Sequence, residues 1–174
     1  MLPDMWDEPT VALATRVTAR ISATLFALHL ILRGLAYLRP GNFDVRRRIR
    51  GTLGLFTLAH TIHFCCVLTL ARVTQGANIH ARGGWVPVLV TATAFYGSLM
   101  YLYARDDLYK RPTTFGVLVI LWLAFAQAYL LRIARSPLFA ALSLLLIAAL
   151  GVHLWSFRAG SNQGSPGSQG SVRT

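Results

Sequence analysis

Five long apolar stretches, separated by short polar ones, dominate the pattern of the chain. Each has about 18–21 residues, which at a helical rise of about 1.5 Å per residue can cross roughly 30 Å of hydrocarbon. None alternates polar and apolar residues in the way that is typical of a transmembrane β-strand. The pattern predicts an all-α fold, a polytopic membrane helical bundle of about five transmembrane helices. They are predicted over residues 21–38, 51–71, 85–104, 113–131 and 137–157.

Polar segments flank this transmembrane domain, which is predicted over residues 21–157. Residues 1–20 carry three acidic residues near the start, whereas a cleaved signal peptide begins with basic residues. We therefore expect the first helix to be retained in the protein. Residues 158–174 are rich in Gly, Ser and Gln and lack apolar periodicity, which predicts a disordered tail.

The charge of the chain bears on orientation rather than on fold. Lys and Arg number 17 against 6 Asp and Glu, a net charge of +11 in a sequence that is 55% hydrophobic. The basic residues cluster between the apolar stretches instead of spreading along them, so we expect the lipid bilayer and no nucleic acid as the surroundings. Ten of them fall on the side of the tail and six on the other. This bias predicts a membrane protein with its N-terminus outside and its C-terminus in the cytoplasm.

Few ionisable residues lie within the predicted spans, and none of them is acidic. Because such groups are costly in a bilayer, each is a candidate for a functional site. The lack of carboxylates argues against an ion-coupled carrier and against a di-iron centre. Imidazole remains, and it is a neutral ligand for haem iron or other transition metals. The residues are His29, Arg33, His60, His63 and His153.

Helical rise predicts the depth of these side chains. His60 follows Gly51 by nine residues and His29 precedes Leu38 by nine, so both are expected about 13–14 Å from the cytoplasmic side. His63 lies one turn beyond His60 on nearly the same face. Arg33 lies one turn from His29, where it could bind a haem propionate or a lipid phosphate. For every histidine the alternative is a hydrogen bond between helices, to a hydroxyl or a backbone carbonyl.

Several of these stretches together resemble a known pattern. The basic run Arg46-Arg47-Arg48-Ile49-Arg50-Gly51-Thr52-Leu53-Gly54-Leu55 leads into Ala59-His60-Thr61-Ile62-His63, and Gly83-Gly84-Trp85-Val86 opens the next stretch. In this order they resemble the ferric reductase-like transmembrane domain family, in its small bacterial form without a fused flavin domain. The resemblance covers about residues 15–150.

The resemblance implies a protein of the bacterial inner (plasma) membrane, with haem b held between histidines of two helices and electron transfer across the bilayer. His60 or His63 would be one axial ligand. The partner histidine would open the fourth helix, where this chain has Thr113, so His29 is the expected replacement, with Arg33 beside it. Alternatively, the protein has lost the cofactor and is a non-catalytic membrane scaffold or accessory subunit.

Enzymatic activity does not follow from the sequence. No flavin or NAD(P)H-binding sequence is recognisable, so an oxidoreductase would need a separate electron-donor or partner membrane protein, a quinone or a reduced flavin. Cys65 and Cys66 are adjacent, which prevents a relaxed disulfide between them, and their spacing is not that of a metal site. A small-molecule or lipid carrier fits less well, because the chain has neither an internal repeat nor a carboxylate in its spans.

Overall fold

The computed structural model describes residues 7–38, 43–75 and 112–163, which are almost entirely helical and contain no strand. A short 3-10 turn, Ile133–Arg135, precedes the last helix. Four of these helices are long and apolar enough to cross a membrane, which indicates an integral membrane protein. The helices are α1 (Glu8–Leu38), α2 (Phe43–Val73), α3 (Pro112–Leu130) and α4 (Pro137–Gln163).

The predicted helical bundle is confirmed, with four of the five predicted spans among the described residues. The fifth predicted span, 85–104, lies outside them and stays a prediction. The predicted tail lies outside them from residue 164 onward, while its first residues, to Gln163, continue α4.

α1 begins at Glu8 rather than at Ile21, so most of the predicted polar N-terminal segment is helical. Val11 and Thr15, one turn apart, are both buried, which shows that this part of α1 packs against the bundle. Glu8 lies in the first turn, where an acidic side chain interacts favourably with the helix dipole. Hydropathy alone does not reveal this extension, because only one face of it is buried.

α2 likewise begins at Phe43 rather than at Gly51, so the arginine-rich run is helical. Ile49 is buried within it, whereas Arg47, Arg48 and Arg50 are exposed. Arginine is a good helix former, and the buried isoleucine anchors this turn against the bundle. The earlier start changes which residues of α1 and α2 lie side by side.

α1 and α2 are antiparallel. Two side-chain contacts between them show this: Thr18 of α1 pairs with His63 of α2, and His29 of α1 pairs with Thr52. The later residue of α1 therefore pairs with the earlier residue of α2, as expected for neighbours joined by a short connection.

α3 and α4 are antiparallel as well. The indole Nε1–H of Trp122 donates to the backbone carbonyl of Leu146 at 2.9 Å. Closer to the turn, the Tyr129 and Phe139 rings lie 5.9 Å apart, centroid to centroid. The 3-10 turn between the two helices is therefore the tip of a helical hairpin, as the short link in the sequence predicts.

α1 and α4 are parallel neighbours. The Arg20 guanidinium lies 6.0 Å from the centroid of Phe139 near the start of α4, while Gly34 meets Val152 and His153 near its end. One end of the bundle thus holds the start of α1, the end of α2 and the α3–α4 turn. The opposite end holds the starts of α2 and α3 and the end of α4.

Aromatic rings from three helices form the centre of the core. The Phe26 ring lies 5.3 Å from that of Phe56 and 5.4 Å from that of Phe125. Large apolar residues also point outward, including Leu58, Leu123 and Leu144, each more than half exposed. Helices that are apolar on both their buried and their exposed faces fit a lipid environment. In such helices the polar residues, and not the apolar ones, indicate which face is buried.

The arrangement of helix ends predicts which positions share a side of the membrane. In a Cys65→Ser/Cys66→Ser background, single cysteines at Gln75 and Arg135 should react with an impermeant maleimide from one side. Single cysteines at Asp44 and Arg158 should react from the other side. Labelling of Gln75 and Asp44 from the same side would contradict the crossing of α2.

Close packing at Gly34 predicts a cost for even one methyl group. A Cβ there would lie 3.2 Å from the Val152 carbonyl oxygen and 3.3 Å from the His153 Cα, both backbone atoms. Gly34→Ala should therefore lower the free energy of unfolding by about 1 kcal/mol. Gly54→Ala, where a Cβ meets nothing within 4 Å, should instead raise it by up to about 1 kcal/mol. Reversible unfolding in mixed detergent measures both, and equal effects would contradict the α1–α4 contact.

Candidate functional site

The predicted polar residues all face the interior of the bundle. His29, Arg33, His60 and His153 are each 3% exposed or less, and His63 is half-buried. Because the exposed faces of the same helices are apolar, these side chains interact with neighbouring helices rather than with lipid. Two threonines, one on α1 and one on α2, are central to how they are held.

Thr18 fixes the orientation of His63. The Thr18 hydroxyl donates to the Ala14 carbonyl at 2.8 Å, so its oxygen is left to accept a hydrogen bond. With the hydroxyl proton assigned to the Ala14 carbonyl, the nearest acceptor, His63 Nδ1 at 3.1 Å from that oxygen is assigned as the donor. The proton of a neutral His63 ring is thus on Nδ1, and Nε2 carries the lone pair.

Thr52 makes the reciprocal contact to His29. Its hydroxyl lies 3.0 Å from the carbonyls of Arg48 and Ile49, and its oxygen lies 3.5 Å from His29 Nδ1. The longer distance indicates a weaker hydrogen bond than that of Thr18. We call the two contacts the threonine–histidine pairs. Both are contacts between helices through Nδ1, and the ligand roles of His29 and His63 stay predictions.

The threonine–histidine pairs also determine the level of His60. Since His63 lies opposite Thr18 and the helices are antiparallel, His60 lies opposite Ile21. Ile21 is eight residues before His29, so about 12 Å of helix separates the levels of the two histidines. The prediction that His29 and His60 lie at the same depth is wrong, because α2 starts earlier than its hydropathy indicates.

His60 lies among aromatic rings. Its ring stacks on Phe56 at 5.4 Å and meets the edge of Phe125 of α3 at 5.7 Å, centroid to centroid. The His63 ring lies 5.9 Å away, one turn along α2. His60 therefore joins the aromatic core to the polar contact at His63.

A second polar cluster lies nearer the opposite end of α1. Arg33 lies close enough to His29 and His153 for its charge to act on both rings. The backbone of His153 packs directly against Gly34. This cluster therefore lies beside the tight contact of α1 with α4.

Neither His29 with His60 nor His60 with His63 fits a haem held by two histidines. Such axial ligands approach the iron from opposite faces at one level. His29 and His60 lie at different levels, and His60 and His63 share one face of one helix. Thr113 lies in the first turn of α3, and its side chain is outside the described residues. Nor does the described part contain three or more His, Cys, Asp or Glu side chains that converge on a metal position.

Comparison of the chain with models of known protein families, with curated proteins and with solved structures found no match. The resemblance to ferric reductase-like domains therefore stays a prediction. The arguments for function rest on the geometry of the bundle.

Sequence reasoning did not single out Thr18 and Thr52. Their signal is an equal spacing: Thr18 precedes His29 by eleven residues, and Thr52 precedes His63 by eleven. Eleven residues make about three helical turns, so each helix presents one threonine and one histidine on the same face. When two such helices pack antiparallel, the threonine of each lies opposite the histidine of the other, which gives two contacts.

The threonine–histidine pairs predict unequal costs for removing the two hydroxyls. Thr18→Val should lower the free energy of unfolding by about 1 kcal/mol, because His63 loses a hydrogen bond in the membrane interior. Thr52→Val should cost less, because its contact is longer. Thr24→Val is the matched control, since the exposed Thr24 hydroxyl bonds only the Arg20 carbonyl of its own helix. A double-mutant cycle of Thr18→Val with His63→Gln measures the coupling, and a value near zero would contradict the pair.

Proposed function

We propose that this chain is a non-catalytic accessory or scaffold subunit of a bacterial inner membrane. It would have the helix pattern of ferric reductase-like transmembrane domains without their paired-histidine haem site. The observation that carries the proposal is the role of His29 and His63 as hydrogen-bond partners that join α1 to α2. In this role the histidines hold the bundle together.

The closed packing of the interior supports a structural role. Phe26, Phe56 and Phe125 fill the centre, and Gly34 brings α1 against α4. The predicted spans contain no carboxylate that could relay protons or coordinate a hard cation. A scaffold of this kind would act through a partner membrane protein bound to its apolar outer faces.

The arginine-rich start of α2 supports an orientation in which this N-terminal end of the helix faces the cytoplasm. Four arginines lie within residues 46–50, and those at Arg47, Arg48 and Arg50 are exposed at the end of a span. By the positive-inside rule this end faces the cytoplasm, which places the N-terminus outside and the C-terminus inside.

A second candidate function is electron transfer through haem b, and one observation favours it. His63 presents the Nε2 lone pair while Nδ1 is fixed by Thr18, which is the arrangement that ligand histidines usually have. His63 would hold the haem, which would supply the redox chemistry. The opposite ligand would come from outside the described residues, and the electrons from a separate donor.

Haem reconstitution separates the two functions. The full chain, purified in mild detergent and incubated with haemin, should show no stoichiometric haem in its oxidised and reduced absorption spectra. One haem per chain with a Soret band that disappears in His63→Gln and persists in His153→Gln would instead establish the second candidate. His153→Gln is the control because it makes the same substitution at another interior histidine, on α4 and away from His63.

A further inference from the structure

The segment from His60 to Cys66 is unusual in its donor atoms. It places two imidazoles and two thiols within seven residues of one transmembrane helix. The imidazoles lie on the interior side, whereas Cys65 is exposed on the apolar surface and Cys66 is half-buried. A structural role for His63 leaves the proximity of the second histidine unexplained.

The distance between the rings is compatible with one metal ion between them. A metal bound at about 2.0 Å from a ring nitrogen lies about 3.2 Å from the ring centroid. With the centroids of His60 and His63 5.9 Å apart, this corresponds to an angle of about 135° at the metal. That angle lies between trigonal and linear coordination.

Thr18 prepares His63 for such a ligand role. Its oxygen accepts the Nδ1 proton, so the lone pair of His63 is on Nε2 and the ring is held in place. Outer hydrogen bonds of this kind commonly fix the tautomer and orientation of a metal-bound histidine. The contact thus serves the helix pairing and a ligand geometry at the same time.

The lack of acidic residues around the two rings favours a metal ion of low charge. A dication bound by two neutral imidazoles beside Phe56 and Phe125 would bury two uncompensated charges, since the predicted spans contain no acidic residue. A monovalent ion of low coordination number costs far less to bury. Copper(I) has both properties, and it accepts imidazole and thiol ligands.

We propose that His60 and His63 of α2 bind one copper(I) ion, with Thr18 as a positioning residue for His63. The two rings lie 5.9 Å apart, centroid to centroid, and Cys66 follows His63 along the helix at the same three-residue spacing as His63 follows His60. The site is independent of the scaffold function proposed above, because it needs neither haem nor a partner protein.

Anaerobic competition with bicinchoninate, a chromophoric copper(I) chelator, tests the proposal on the full chain in detergent. A Cys65→Ser/Cys66→Ser background excludes a site made by thiols alone, and it should bind one copper(I) per chain. His60→Gln and His63→Gln in this background should each weaken binding at least tenfold. Thr18→Val should weaken it about tenfold, as loss of an outer hydrogen bond does at other metal sites. His153→Gln should leave the affinity within twofold.

The same series defines the results that overturn the proposal. They are an absence of stoichiometric copper in the cysteine-free background, an unchanged affinity in His60→Gln or His63→Gln, or a loss of affinity in His153→Gln as large as in those two variants. X-ray absorption of the copper-loaded background provides a second measurement that does not depend on variant folding. It should show two nitrogen ligands with the pattern of imidazole, and their absence would overturn the assignment even if copper is retained. Failure of copper binding would leave the proposed scaffold function unaffected. That function would be contradicted by stoichiometric haem in the absorption spectrum.

Discussion

A polar side chain inside a membrane bundle has to find its hydrogen-bond partner within the protein, and α1 and α2 meet this requirement through each other. Each helix provides a threonine and a histidine three turns apart, so the antiparallel pair provides a polar partner for Nδ1 of two imidazoles at once. A shift of α2 by one residue would separate both pairs. The register of the α1–α2 hairpin therefore depends on polar contacts. α4 packs against α1, and α3 packs against α4 and, through Phe125, against both helices of the hairpin.

This dependence limits what the histidines can do chemically. An imidazole that donates through Nδ1 retains only Nε2 for a ligand, and the ligand has to lie on the side away from the neighbouring helix. His63 meets that condition beside His60, whereas His29 lies near the Arg33 guanidinium. The two ends of the same hairpin thus differ in their surroundings, although they use the same hydrogen-bond chemistry.

Much of the architecture could be predicted from the sequence, because apolar stretches of sufficient length have few alternatives in a bilayer. The burial of His29, Arg33, His60 and His153 followed from their positions within these stretches. The starts of α1 and α2 did not, since residues 8–20 and 43–50 bury only one face and average out as polar. The level of His60 relative to His29 depends on the start of α2. Because α2 begins at Phe43 and not at Gly51, His60 is displaced by about 12 Å from the predicted level.

The parallel contact of α1 with α4 has a consequence for how the protein is made. Gly34 and Val152 are separated by most of the chain, so they meet only after the last helix has been synthesised and inserted. The α1–α2 hairpin, with a connection of a few residues, closes at a far smaller entropic cost. We therefore expect assembly in two stages: an early α1–α2 hairpin held by its polar contacts, and a later closure in which α4 packs against Gly34 of α1.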